Sequence, residues 1–412
     1  MTAPGQVTDS QALLLQLLDP ANRAAPYPLY GQIREHGALQ LPENNLTVFT
    51  SFAECDAVLR HSDSCCDRAK SIISRRFRES DEAPRINSAT SFLFLDAPDH
   101  TRLRGLVSKA FVPKVINALE PEIRALVDRL LDGAQGDEFD VISELAYPLP
   151  VAVICRLLGV PVTDEPQFRD ASALLAQALD PFLAMTGEAS GLFDKQMAAG
   201  EWLGGYLRDL IAQRRRTPGD DLMSALIQVE ESGDQLTEDE IVATCDLLLI
   251  AGHETTVNLI ANATLAMLRD PQQWRALASD AERVSSVIEE TMRYDPPVQL
   301  VSRIAGADMT IGHIHVPEGD TMLLLLAAAH RDPAVFERPD AFDPDRGAFR
   351  HLGFGKGVHF CLGAPLARLE ASVALSALTA RFPDARLAAE PVYKPNLTLR
   401  GMSTLRLSAE QT

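Results

Sequence analysis

The sequence predicts a mainly α protein with a minor β lobe. Three observations predict it: one very long, almost uncharged helix, several shorter helical segments on either side, and a few short β-branched runs between them. The long helix spans Glu238 to Arg269. Thr237 and Glu240 form a capping box at its start, and Asp270-Pro271 stops it. At 1.5 Å per residue it is roughly 48 Å long, enough to cross a domain. Its middle is apolar on nearly all sides, so it belongs in the interior. Lys114 to Leu131 carries Val115, Leu119, Ile123, Leu126, Val127 and Leu130 at helical spacing. Phe168 to Arg216 is helical with looser periodicity. A last helix runs from Ala364 to Arg381, with Pro365 in its first turn. Asn45 to Phe52 reads as a strand. Asp308 to Ala329 reads as strand, turn, strand, the turn being Pro317 to Asp320. Arg331 to Arg346 is Pro-rich and irregular, and a short β-type tail closes the chain.

The 412 residues are 46% hydrophobic and 23% charged, an ordinary globular balance. One domain over residues 1–412 is expected, because the long helix reads as shared by everything around it. The first ten or so residues are expected to be disordered. A formal charge of −19 disfavours nucleic acid and anionic lipid as partners. No targeting segment opens the chain, and the uncharged run Thr255 to Leu268 is too short to span a bilayer, which takes about 20 residues. The expected location is therefore the cytoplasm.

Six cysteines stand at positions 55, 65, 66, 155, 245 and 361. Their spacing makes no zinc or redox motif, and five read as inert thiols. Cys361 differs. Gly355 and Gly357 precede it and a helix follows it. Glycines let the backbone come close to a large group, and a helix N-terminus favours a thiolate over a thiol. These residue types alone leave open an inert thiol, a phosphate loop, a zinc site with His351 and His359, or a thiolate metal ligand.

The loop resembles the cysteine-ligand signature of the cytochromes P-450. That signature is Phe, two residues, Gly, three residues, Cys, one residue, Gly; here it is Phe354, Gly357, Cys361 and Gly363. The match continues through Leu362, Ala364, Leu366, Ala367 and Arg368, as in bacterial members without a membrane anchor. Further matches are Glu290 with Arg293, Phe342 to Arg346, Ala251 to Thr256, Asp96 to Arg104, Tyr27 to Tyr30, and Ala329 to Pro333. His330 stands where relatives often have Asn. The resemblance implies the cytochrome P-450 fold, with haem b between the long central helix and the helix after Cys361. It implies Cys361 as the iron ligand, with Phe354, Gly355 and Gly363 shaping the loop around it. His100, Arg104, Arg303 and His359 would bind the haem propionates. Ala251 and Gly252 would make room for dioxygen, Thr255 would hydrogen-bond it, and Glu254 would relay protons. Glu290 and Arg293 would lock the loop behind the haem.

The implied activity is a haem-thiolate monooxygenase. One atom of O2 enters an organic substrate and the other becomes water. Electrons would come from a ferredoxin and an NAD(P)H-dependent ferredoxin reductase, docked near Lys109, Lys114, Arg350, Lys356 and Arg368. The pocket should be lined by Arg60 to Phe94, Phe168 to Phe193, Leu247, Ile250, Val298 to Val301 and Leu397 to Met402. Most of these are apolar, which points to a hydrophobic small-molecule substrate. Two alternatives are a peroxide-using haem-thiolate enzyme and a non-catalytic haem or ligand-binding protein. Both fit poorly with the presence of Glu254 and Thr255 together.

Overall fold

The structure is a computed structural model and describes residues 9–79, 90–133, 138–232 and 236–408. The central helix runs Glu238–Leu268, as its caps predict. Thr237 accepts from the backbone N–H of Glu240, and the Glu240 carboxylate accepts from the N–H of Thr237 at 2.8 Å. Both orphan donors at the helix start are thereby satisfied. The helix is buried almost continuously from His253 to Leu268.

Around it pack the helices Pro148–Leu158, Glu165–Gln177, Phe193–Arg216 and Ala364–Arg381, and one large apolar core joins them. The helix Pro113–Asp132 lies against Ala364–Arg381. The segment from Phe168 to Arg216 is not one helix. It breaks into Glu165–Gln177, Phe182–Thr186 and Phe193–Arg216. Pro181 cannot continue a helix, and Gly187 leaves it with a φ of 80°.

The β lobe is a five-stranded sheet in the order Leu39–Leu41, Leu46–Phe49, Thr321–Leu324, Val301–Ala305, Ser64–Cys65. Only the pair 46–49 with 321–324 is parallel. The strand expected over Asn45 to Phe52 is shorter, because Ser51 caps a helix that begins at Phe52. The region from Asp308 to Ala329 holds an additional hairpin, Met309–Ile311 with Ile314–Val316, turning at Gly312 with a φ of 61°. It then ends in a short helix, Leu326–Ala329. Residues 1–8 lie outside the described residues, whereas Asp9 and Ser10 belong to the helix Asp9–Gln16, contrary to the expectation of disorder there.

The irregular stretch after Arg331 is held by side chains rather than by a ladder. Glu290 and Arg293, one turn apart on the helix Val284–Tyr294, are both 0% exposed. Arg293 donates to both Glu290 oxygens and to the carbonyls of His330, Pro339 and Ala341. Glu290 also accepts from the N–H of Asp343 and meets Arg346 at 3.3 Å.

Candidate functional site

Three elements meet around His359: the loop before Ala364–Arg381, the helix Asp99–Ser108, and the strand Val301–Ala305. Gly355 and Gly357 both have positive φ, 69° and 67°. At Gly357 a Cβ would stand 2.9 Å from the Leu59 carbonyl oxygen, so only glycine fits that approach. The N–H of Cys361 donates to the Phe354 carbonyl at 2.8 Å and closes the loop. Phe354 is buried, with the Arg368 guanidinium 4.4 Å from its ring centre. Arg368 and His351 both bond Glu289, at 2.6 and 2.9 Å. Burial pushes the Glu289 carboxyl up, but those two bonds outweigh it and bring it down to about 2. His351 is thus occupied and stands in no zinc site with Cys361.

Of the six cysteines, five are buried and Cys361 alone keeps some exposure. Its sulfur is nonetheless deep. Burial pushes the thiol up, and this outweighs the pull of the Gly363 and Ala364 N–H groups and the Arg104 and Arg368 guanidinia. The helix terminus therefore does not by itself make a thiolate, contrary to the expectation from sequence. Without a bound cation, the cost of desolvation is larger than the gain from the backbone donors.

A cluster of basic groups borders this loop. The rings of His100 and His359 stand 4.0 Å apart. Arg104, one turn beyond His100, donates to the Phe360 carbonyl at 2.5 Å. Burial lowers the pKa of His100 and of Arg104. Burial, then repulsion from His100 and Arg303, brings His359 down to about 3. The Nε2 atom of His100 is buried and has no partner. Two guanidinia beside two uncharged imidazoles, one with an orphaned nitrogen, suit an anion that comes from outside the chain. Asp96 stands closest in sign to that role, but it is already bonded to the Cys66 N–H and to Lys70, both at 2.8 Å. Cys66, Asp96 and His359 approach one another closely enough to hold a metal ion. Burial pushes the Cys66 thiol up to about 11, and the cations around His359 oppose a further positive charge. Cys66 is a buried thiol, not a rival to Cys361.

On the central helix, Asp246, Leu247, Ile250, Ala251 and Thr255 keep exposure, as do Ala243 and Gly252, while the other residues from Ile241 to Leu268 are buried. The Thr255 hydroxyl donates to the Ala251 carbonyl at 2.9 Å. Gly252 does not open space toward this face. A Cβ there would stand 2.8 Å from the Ile154 side chain, so the glycine serves the approach of the helix Pro148–Leu158. Glu254 is buried and paired with the Lys394 ammonium at 2.6 Å. Nothing in the sequence links two residues so far apart, and Lys394 was missed. Val298 and Val301 are half-buried. Phe168 and Leu300 instead fill apolar cores at 1% exposure, and Leu397, Leu399 and Met402 are buried too. Residues 80–89 of the expected pocket loop lie outside the described residues.

A buried sulfur at the mouth of a helix, bordered by basic groups and an orphaned imidazole nitrogen, suits a bound metal that carries anionic groups of its own. The comparisons agree. The chain belongs to the cytochrome P450 family, whose model matches residues 66–391. Cytochrome P450 107B1 of Saccharopolyspora erythraea is 41% identical over 345 residues, covering 82% of each chain. Vitamin D(3) 25-hydroxylase of Pseudonocardia autotrophica is 39% identical and covers 92% of this chain and 93% of its own. The ligand-free crystal structure of Mycobacterium smegmatis CYP164A2 is 72% identical with a TM-score of 0.93, covering 97% of this chain and all of that one. The chain is thus a cytochrome P450 monooxygenase, and haem b is its cofactor. No helix among the described residues is long and apolar enough to cross a membrane.

Glu289 gives a pH prediction. Its carboxyl is depressed in the fold, so the stability it contributes is present above pH ~4.5 and lost as pH falls toward about 2. With a third of the side chain exposed, solvent screening discounts the effect to about 1–2 kcal/mol. Glu289→Gln should lower stability by that amount at pH 7 and by clearly less at pH 3, measured by denaturant unfolding.

Proposed function

We propose that Cys361 is the thiolate ligand of the haem iron and that the enzyme hydroxylates or epoxidises a hydrophobic substrate. The observation that carries the ligand assignment is the setting of Cys361 just before the helix Ala364–Arg381, where the Gly363 and Ala364 N–H groups and the Arg104 and Arg368 guanidinia all draw on its sulfur. Phe354, Gly355 and Gly363 hold its loop, and His100, Arg104, Arg303 and His359 would take the propionates. The orphaned His100 Nε2 supports that fit. Haem, when bound, supplies the oxidation of substrate by dioxygen, and a metal-bound thiol is deprotonated outright.

The remaining work belongs to the chain. Ala251 leaves the cavity floor open beside Thr255. The Thr255 hydroxyl, anchored on the Ala251 carbonyl, keeps its oxygen lone pairs free to accept and pass a proton. Glu254 stands next to it, and its partner Lys394 keeps 24% of its side chain in contact with solvent. The pair offers protons a way from water to the cavity. Leu247, Ile250, Val298 and Val301 exclude water and favour an apolar substrate body. A relative is named a vitamin D(3) hydroxylase. Another was crystallised with testosterone. Both support a lipid-like substrate.

Electrons would come from an acidic ferredoxin and its NAD(P)H-dependent reductase in the cytoplasm. The docking face is the outer side of the cysteine loop. Val358 is 74% and Phe360 40% exposed there, two apolar residues that sequence reasoning overlooked. Lys109, Lys114 and Arg350 are exposed and Lys356 is half-buried. Arg368 leaves the expected set, because Glu289 holds it.

Reduced holoenzyme under carbon monoxide should give the red-shifted Soret band of thiolate ligation. Cys361→His should convert it to the histidine type, and Cys66→Ser should leave it unchanged. A histidine-type band in the wild type would overturn the assignment. Thr255→Ala should cut product formed per NAD(P)H consumed by about tenfold or more, with consumption persisting, as expected when a positioned proton donor is lost. Lys114→Glu combined with Lys356→Glu should raise the ferredoxin concentration for half-maximal turnover and flatten its salt dependence. An unchanged salt profile would place the docking face elsewhere.

A further inference from the structure

A helix packed on its other sides shows its cavity wall by the residues that keep exposure. Beyond the first turn of the central helix these are Ala243, Asp246, Leu247, Ile250, Ala251, Gly252 and Thr255. Asp246 is the only charged member of that set. It lies one turn before Ile250, on the edge of the stripe. Its Oδ1 atom is buried and has no hydrogen-bond partner. No described cation acts on it from the flanking helices Pro148–Leu158, Glu165–Gln177 or Phe193–Arg216. The titratable group beside it is the Cys245 thiol, pushed up to about 12 by burial and then by Asp221 and Asp246. Asp221 itself is held by Arg214 at 3.0 Å. Burial alone pushes the Asp246 carboxyl up to about 6.

An uncompensated carboxylate in an apolar wall destabilises the empty protein. The acids on either side of it on the same helix, Glu240 and Glu254, have their own cations, Arg102 and Lys394. Asp246 has none, and an apolar residue would pack there at no electrostatic cost. Its counter-ion is therefore to be sought in what fills the cavity.

We propose that Asp246 recognises a cationic nitrogen on the substrate. The proposal rests on the reading that oxidation takes place at the Thr255 end of the cavity. Asp246 precedes Thr255 by nine residues, roughly 13 Å along the helix axis. The substrate class is then an amphiphilic amine or ammonium compound, its nitrogen on the order of 10 Å from the carbon oxidised. The apolar body lies along Leu247, Ile250 and Ala251, and the charged end sits away from the iron.

The test uses holoenzyme and two esters that differ by one atom: decanoylcholine and its neutral carbon isostere, 3,3-dimethylbutyl decanoate. A quaternary nitrogen cannot ligate iron, so ligation does not confuse the result. Binding is read by equilibrium dialysis and by the Soret change. At pH 7.5 the wild type should bind the cation about ten- to a hundredfold more tightly, the range of a charge-assisted contact. The preference should shrink as pH falls below about 6, because the protonated carboxyl no longer attracts a cation. Asp246→Asn should bind the two esters within about threefold of each other, with affinity for the neutral ester retained. Removing a buried charge that burial disfavours should also leave its thermal midpoint equal or higher. No preference in the wild type, or a preference that survives in Asp246→Asn or at low pH, overturns the proposal. The carbon monoxide spectrum of the same samples reports the Cys361 assignment separately.

Discussion

The buried pair Glu290–Arg293 is the interaction on which the site depends. An arginine has five N–H donors, and Arg293 uses them on five acceptors: two carboxylate oxygens and three carbonyls from 330 to 341. Burying one unpaired charge would be prohibitive, and an isolated buried pair is often no better than an apolar substitute. Here every donor is met, which is the condition under which desolvation is offset. The acceptors are backbone groups of a stretch that has no helix or strand to satisfy them. One guanidinium therefore stands in for secondary structure over that stretch. The lock is passed on toward the cysteine. His330, whose carbonyl Arg293 holds, accepts from the Leu352 N–H at 2.8 Å through Nε2. Leu352 in turn accepts from Gly355, and the Phe354 carbonyl accepts from Cys361.

That rigidity holds groups that would otherwise separate. A thiol driven up by burial, two imidazoles 4.0 Å apart and two guanidinia repel or desolvate one another without their cofactor. Haem b, held as proposed, would relieve both problems at once, with a cation for the sulfur and carboxylates for the basic edge. Anything that binds only the folded chain adds its binding free energy to stability, so the fold and the cofactor are thermodynamically linked.

Much of this was legible in the sequence because the signals are local. The capping box at Thr237 and Glu240 and the stop at Asp270-Pro271 fix the central helix to within a residue. Pro365 likewise marks the helix Ala364–Arg381. The cysteine loop is contiguous, and its glycines are demanded by positive φ and by the Leu59 carbonyl. What stayed illegible depends on contacts between distant segments. Gly252 looks like a cavity residue until Ile154 is seen against it. Lys394 lies 140 positions from Glu254. The break at Pro181 and Gly187 is visible in hindsight, but looser periodicity hid three helices inside one apparent run.

The two buried acid–base pairs near the site also show how satisfaction separates structure from function. Glu290 and Arg293 are fully enclosed and fully bonded, so neither has a reason to exchange a proton or move. Glu254 and Lys394 share one contact of 2.6 Å, and the lysine has two further N–H donors with no side-chain acceptor among the described residues. Its ammonium reaches toward water from a short hairpin, Val392–Tyr393 with Met402–Thr404, rather than from a packed helix. A pair of that kind gives little rigidity, and a rigid pair of the other kind could carry no protons. The same carboxylate and cation chemistry thus serves as a clamp behind the loop and, in the proposed mechanism, as a proton route to the cavity. The difference is set by how many of the remaining donors the fold has left for water.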